Sequence, residues 1–376
     1  MFNLKLPFKQ QTMTIPTTMA AVYLTGHGGL DQLEYRTDVP VPRPGNTEVL
    51  IQVGAAGINN TDINTRTAWY SKAVDAATAS GGAAGFTQAN AADGGWDGPL
   101  QFPRIQGADV CGRIVAAGGG VDQSRIGERV LVRSMMRGYS DFRAFECQTL
   151  GSECDGGFAQ FVKAPAADTW AVNCDWSDAE LASIPCAYST AENLLHRAAV
   201  GDGDTLLVTG ASGGVGSAAV QLARVRGAAV IAQAAAAKFD EVRALGAERL
   251  VERDADLSAE LGAESVDVVV DLVAGRRWPQ LLDVLRKGGR YAVAGAIAGP
   301  LVELDARTLY LKDLTLLGCT FQDDIVFDNL VRCIERNAIR PLVARAWPLA
   351  KIAAAQTEFL AKKHTGKLVL IPPPVE

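Results

Sequence analysis

The sequence predicts a two-domain α/β protein, a small β domain followed by a doubly wound parallel-sheet domain. Three observations carry that expectation. A chain of 376 residues exceeds one ordinary core and suits two. Residues 20–55 carry short β-branched runs broken by Gly and Pro, AAVYL and then PVPRPGNTEVLIQVG, the texture of a small all-β unit. From about residue 171, strand-like and helix-like segments alternate at the spacing of parallel strands with helical crossovers.

Taken in order, residues 1–18 lack a continuous apolar stretch and are expected to be a flexible extension without a secretory signal. Met19 opens the first strand pattern. Residues 71–100, rich in Ala, Gly, Asp and Asn, have no strand period. They predict a long loop with at most one helical turn, a lid or an insert. Strand texture resumes over 109–133, and a second irregular stretch covers about 134–157 before FAQFVKAP. Asp204–Gly210 then predicts a buried strand, SAAVQLARVRG a helix closed by Gly, AAVIAQA a strand and AKFDEVRALG a helix. VDVVVDLV, WPQLLDVLRKGG, RYAVAG and LTLLGCTF continue the alternation. Residues 327–339 read as a helix leaving that unit, and the tail from RPLVARAWPL through GKLVLIPP returns to strand texture. The domains expected are therefore the β domain over 19–170, completed by 325–376, and the parallel-sheet domain over 171–324.

Composition is globular, with 48% hydrophobic and 21% charged residues. A formal net charge of −6 without a basic block argues against a nucleic acid or an anionic membrane surface as partner. No apolar run approaches the roughly 18–20 residues that span a bilayer. Seven cysteines, an odd number at irregular spacings, read as reduced thiols of a cytoplasmic protein.

Two stretches carry chemistry. Thr209–Gly216, TGASGGVG, lies between a strand and a helix. Around Ser212 and Val215, the glycines Gly213, Gly214 and Gly216 let backbone approach a pyrophosphate, and the helix N-terminus offers free N–H groups. The next strand ends in Ile231–Lys238 with no carboxylate to hold ribose hydroxyls or repel a 2′-phosphate. Lys238 and Arg253 are the candidate partners of that phosphate, so NADPH is expected over NADH; the plainer reading of Lys238 is a solvated lysine at a helix start. The second stretch is GINNTD, residues 57–62. Two amides, a hydroxyl and a carboxylate follow a strand there, and the residues alone leave open whether they hold a metal, orient a substrate or cap a loop.

The motifs AAVYLTGHGGLDQLEYR, EVLIQVGAAGINNTDI, FPRIQGADVCGRIVAAGGGV, GGFAQFV, PCAYSTAENLL, TGASGGVGSAAVQLA, LRKGGRYAVAG, LYLKDLTLLGCTF and GKLVLIP together resemble the medium-chain dehydrogenase/reductase superfamily. Within it they are similar to the zinc-free, quinone oxidoreductase-like branch, over nearly all of residues 19–371. The resemblance implies a GroES-like β domain and a Rossmann domain, with the active site between them. Zinc alcohol dehydrogenases carry a cysteine ligand where this chain has Asn59, and Gly-His-Glu where it has Gly107-Ala108-Asp109. Only Cys186 matches a ligand position, and a catalytic zinc needs three protein ligands. Cys147 and Cys154 stand where the structural zinc lobe has four cysteines, and His27, His196 and His364 match no ligand motif. No metal is therefore expected.

The resemblance also implies site residues. Asn59 would face nicotinamide or substrate, and Tyr70 matches a proton-donor position of the mitochondrial enoyl-thioester reductases; the plainer readings are a loop-capping amide and a pocket wall. Asp62 and Arg66 are expected to pair with each other. Thr190, Leu272 and Val273 would flank the cofactor. Gly295, Ala296, Cys319, Thr320 and Phe321 would meet the carboxamide, and Lys362 and Lys367 would lie near the cofactor. The implied activity is NADPH-dependent hydride transfer to a small-molecule quinone or activated C=C bond. The alternatives are a zinc-free alcohol or carbonyl dehydrogenase, and a non-catalytic NADPH-binding protein like the lens crystallins. A homodimer or homotetramer through the edge strand near LTLLGCTF is expected on the same ground. The 71–100 segment departs from the family pattern.

Overall fold

Val49, Leu50, Ile51 and Val53 are buried along β3 (Glu48–Gly57), a strand that pairs on both edges and so lies at the centre of the first sheet. The computed structural model describes residues 14–139 and 145–375. Residues 1–13 of the expected extension, and 140–144 of the second irregular stretch, lie outside the described residues.

The chain enters through β1 (Thr18–Leu24) and β2 (Leu33–Pro40), an antiparallel pair. After β3 comes α1 (Asn60–Thr67), then the segment 71–100, which holds one short helical turn, α2 (Thr78–Gly81). β4 (Arg104–Ile105) adds to β1, making a three-stranded sheet. β5 (Cys111–Ala117), β6 (Arg129–Val132), the short pair β7 (Met135–Met136) and β8 (Gln148–Thr149), β9 (Phe161–Pro165) and β10 (Thr169–Ala171) complete the unit. β5 and β9 both run antiparallel to β3.

α3 (Asp178–Leu181) and α4 (Pro185–Arg197) lead into the second unit. There β11 (Thr205–Val208), α5 (Gly214–Val225), β12 (Ala229–Ala234), α6 (Phe239–Ala244), β13 (Arg249–Glu252), α7 (Leu257–Leu261) and β14 (Val266–Asp271) alternate as the spacing predicts. α8 (Trp278–Val284), β15 (Leu285–Val293), α9 (Ala306–Leu311) and β16 (Thr315–Gly318) follow. All six strands are parallel, in the order β13-β12-β11-β14-β15-β16. The order reverses between β11 and β14, and ligands of such sheets bind outside the strand ends at that point.

α10 (Asp324–Glu335) buries Phe327, Leu330 and Ile334 in the core it shares with α4. The chain then returns. β18 (Lys367–Ile371) pairs with β3 and with β17 (Val343–Pro348), so the last strand closes the first sheet.

Three expectations are corrected. The helix read in WPQLLDVLRKGG stops at Val284; Leu285–Gly289 belong to β15, whose register shifts against β14 and whose Gly288 has φ +73°. The tail is not all strand, because α11 (Ile352–Ala361) lies between β17 and β18. Its sequence, IAAAQTEFLA, is too apolar to show a sharp amphipathic period, yet it buries Ile352, Ala355 and Phe359. Asp62 and Arg66 do not pair. Asp62 turns back to accept the N–H of Asn59 at 2.7 Å, while the fully buried Arg66 donates to Gln356, Gly28 and Gly82 at 2.6–2.9 Å.

Candidate active site

A cleft of about 580 Å³ runs along the C-terminal ends of β11, β12 and β14. Its floor is the glycine loop. Gly213 is the N-cap of α5, so the helix presents its first N–H groups to the cleft. A side chain at Gly216 would come within 2.3 Å of the Gly210 carbonyl, so only glycine lets helix and strand pack this closely. Of the residues expected at the cofactor, Ser212, Gly213, Gly214, Lys238, Arg253, Val273 and Lys362 line the cleft. Thr190, Val215, Leu272, Gly295, Ala296, Cys319, Thr320, Phe321 and Lys367 do not. The segment carrying Cys319–Phe321 is nevertheless fixed against the side of α4, where Asn193 donates to the Phe321 carbonyl at 2.9 Å and Gln322 to Ser189 at 2.8 Å.

The strand β12 ends at the cleft in Gln233 and Ala234, with no carboxylate at its edge. Gln233 donates to the Arg253 carbonyl at 3.2 Å. Lys238 donates to the carbonyls of Lys362 and His364, at 3.0 and 2.6 Å. Lys362 closes α11 and donates to Asn60 at 3.0 Å; burial of its ammonium, with Lys238 nearby, lowers its pKa to about 8. Sequence reasoning missed Arg276, Arg277 and His364, and it singled out Asn60 only within GINNTD, not at the cofactor; all four line the cleft. Arg276 and Arg277 follow the fourth parallel strand by a few residues, and that position was the available signal. The cationic rim, the free helix terminus and a buried His364 Nδ1 without a partner among the described residues fit a dinucleotide phosphate.

Beyond the glycine loop, residues far apart in sequence converge. Asn59 sits at the junction of β3 and α1, Asp109 just before β5, Cys186 in the first turn of α4, and Lys367 at the start of β18. Asn59 Nδ2 donates to Asp109 Oδ2 at 2.8 Å and to the Gly57 carbonyl at 3.4 Å. Lys367 Nζ lies 2.5 Å from Asn59 Oδ1 and 2.8 Å from Asp109 Oδ2. The other Asp109 oxygen accepts the Cys186 backbone N–H at 2.5 Å. Gly57 makes the approach possible, since a side chain there would stand 2.4 Å from Asp109 Oδ2. Burial pushes the Cys186 thiol well above its ordinary pKa, so it is a neutral thiol.

The Tyr70 hydroxyl donates to Thr61 at 3.2 Å, and its ring meets Trp96 edge-on with centroids 4.9 Å apart. Burial raises its pKa well above the ordinary phenol value. A phenol so placed stays protonated; it donates a hydrogen bond readily and a proton reluctantly. The Asp109 carboxylate is already neutralised by an ammonium, an amide stands at the neighbouring ligand position, and among the described residues no group of three His, Cys, Asp or Glu could hold a metal ion. This donor set does not fit zinc.

The chain matches the alcohol dehydrogenase GroES-like domain family over residues 45–173 and the zinc-binding dehydrogenase family over 214–336. A solved Sinorhizobium meliloti 1021 structure, whose assignment as an alcohol dehydrogenase is provisional, is 46% identical with a TM-score of 0.84, covering 96% of this chain and 98% of its own. This chain belongs to the medium-chain dehydrogenase/reductase superfamily. A quinone oxidoreductase from Lama guanicoe is 27% identical, covering 94% of this chain and 97% of its own. A thermostable alcohol dehydrogenase from Pyrobaculum aerophilum is 29% identical with a TM-score of 0.77, covering 94% and 99%. As a member, the chain is an oxidoreductase of a superfamily that binds a nicotinamide cofactor. No helix among the described residues is long and apolar enough to cross a membrane.

Proposed function

We propose that the protein is an NADPH-dependent reductase of quinones or of C=C bonds conjugated to a carbonyl, working without a metal. The observation that carries the reading is the content of the site beyond the glycine loop: a buried Asn59–Asp109–Lys367 cluster where a metal-dependent dehydrogenase would need three ligands. Without a Lewis acid, hydride addition to a conjugated carbon is favoured, because the negative charge moves to a remote oxygen that hydrogen-bond donors can stabilise.

A bound dihydronicotinamide supplies the hydride. The chain's own residues bind, orient and donate. The α5 N-terminus and glycine loop hold the pyrophosphate. Lys238 and Arg253, with no carboxylate on β12, favour a 2′-phosphate. Tyr70 donates a hydrogen bond to the substrate oxygen, and Tyr70 or water delivers the proton. Asn59 acts by position, since both its amide hydrogens face Asp109 and Gly57.

The test is oxidation of NADPH, with NADH in parallel, against ortho- and para-quinones, enones, enals and short enoyl-CoA thioesters. Turnover on one class with NADPH preferred is expected. Asn59→Ala should lower turnover while leaving NADPH binding intact; unchanged turnover would remove Asn59 from the mechanism. A silent panel despite NADPH binding would favour the alcohol or carbonyl dehydrogenase reading, for which the 46% identical relative speaks, or the non-catalytic one. We further expect a homodimer or homotetramer joined at β16, in a cytoplasmic setting.

A further inference from the structure

Lys367 is a buried cation with an unusual setting. Its side chain is 4% exposed and its carboxylate partner Asp109 is fully buried. An ammonium only donates hydrogen bonds, so the Asn59 oxygen must be the atom that faces it. That fixes the amide: its N–H groups turn to Asp109 and Gly57, and Asn59 has none left for a substrate. The ammonium is different. It carries three N–H groups, and among the described residues two are engaged, by Asn59 and Asp109.

The place matters as much as the count. The lysine stem lies along the dinucleotide loop: a side chain added at Gly214 would stand 2.9 Å from Lys367 Cδ. Gly366, the residue before it, lines the cofactor cleft. The ammonium therefore stands at the seam between the glycine loop and the Asn59–Asp109 pair, where the two units meet. It also answers the mismatch with a metal site, because a cation already neutralises the carboxylate that a metal would need.

We propose that the Lys367 ammonium is the electrophilic group of this site, the fixed positive charge that meets the substrate oxygen through its remaining N–H. This rests on the reductase reading above and adds the residue that replaces the Lewis acid. As hydride adds to the conjugated carbon, the π pair moves onto the substrate oxygen. The ammonium stabilises that oxyanion while keeping its own proton, and Tyr70 or water then supplies the proton that completes the product. Asn59 and Asp109 are positioning residues: they hold the ammonium in one place, so it need not reorganise as charge develops.

The test separates this role from a structural one and from the choice of substrate. Lys367→Met keeps the stem and removes the charge; Lys367→Met with Asp109→Asn also removes the buried carboxylate left behind. The single variant should melt lower than the wild type, and the double variant should recover most of that loss. Three readouts follow. The affinity for NADPH, read by dihydronicotinamide fluorescence, should change by no more than about twofold in the double variant. Turnover on any active panel substrate should stay down by about 10²-fold there, the scale of losing one oxyanion donor. In the NADP⁺ complex, 4-nitrophenol, an oxyanion mimic seen by its absorbance, should bind the wild type as phenolate, with its pKa lowered by about one unit or more, and lose that shift in both variants.

Recovery of turnover along with stability would overturn the proposal, as would a nitrophenol shift that survives without Lys367 or is absent from the wild type. Loss of NADPH affinity with the shift intact would make Lys367 a cofactor clamp instead, and would overturn it too. A wild type that turns over no panel substrate yet ionises nitrophenol through Lys367 would defeat the quinone and enone reading and leave the electrophile assigned.

Discussion

At the residue scale, Asp62 shows how burial acts on a single carboxyl. It lies under the site, accepting the Asn59 N–H. Burial raises its pKa from 3.8 to about 7; the neighbouring Asp109 adds to the rise, and hydrogen bonds and Lys367 oppose it. The sign of the pH effect follows. Below about pH 4 both the folded and unfolded chains hold the proton, and the contribution to stability is fully present. As pH rises from there to about 7, the unfolded carboxyl releases its proton more readily than the folded one, so stability falls; above that it is flat. The loss is at most about 4 kcal/mol. Asp62→Asn keeps an oxygen for the Asn59 N–H and removes the titration. Its melting temperature should fall less than that of the wild type between pH 5 and pH 8. Parallel melting curves over that range would show that Asp62 does not titrate as its burial implies.

At the element scale, the 71–100 segment is tied down at several points. Thr78 gives its backbone N–H and hydroxyl to the Ile297 carbonyl at 3.2 and 3.3 Å, and Ile297 lines the cofactor cleft. Arg66 holds the Gly82 carbonyl at 2.6 Å. Trp96 packs on Tyr70. The segment thus bridges from the substrate side to the coenzyme side, and Trp96 is its contact with the group proposed to touch substrate. Trp96→Ala should raise KM for planar substrates by roughly tenfold, the scale of one aromatic contact of about 1–1.5 kcal/mol. NADPH affinity should hold within about twofold. Equal losses in both would make Trp96 a scaffold residue rather than a selector. The sequence made this segment visible as a loop with one helical turn, because Gly, Ala and Asn content is a local property. It did not show the contacts, and the same limit applies to the site. The glycine loop was legible because its glycines and its helix are contiguous. The Asn59–Asp109–Lys367 cluster was not, because its members are 50, 258 and 308 residues apart and meet only when β18 closes on β3. The Asp62–Arg66 pairing failed for two reasons: Asp62 turns back to cap its own helix at Asn59, and Arg66 finds partners its helix could not supply.

At the scale of the whole molecule, the two units are joined by polar contacts as well as by the shared core. Arg133, 3% exposed, donates to the buried Asp168 at 2.9 Å through Nε and to Asp324 at 2.5 Å, linking the first sheet to the start of α10. The outer edge of the parallel sheet is the opposite case. Among the described residues β16 pairs only with β15, and Leu316 on it is 36% exposed. Tyr310 and Leu311, at the end of the preceding helix, are 62% and 64% exposed, and Leu301 nearby in sequence is 72% exposed. A strand edge without a partner, flanked by large apolar side chains, is a surface that proteins rarely leave open to water. Pairing two β16 strands across a two-fold axis would satisfy the free backbone groups and cover the apolar residues with the same patch of a second copy. Light scattering behind a sizing column should therefore give twice the chain mass at micromolar concentration. Leu316→Lys should return a monomer, because a buried like-charge pair would face itself across the axis, while NADPH affinity is kept because β16 contributes no residue to the cleft. A wild type that runs as a monomer would mean that this edge is protected by its own side chains, and that the apolar helix end serves no pairing of the chain with itself.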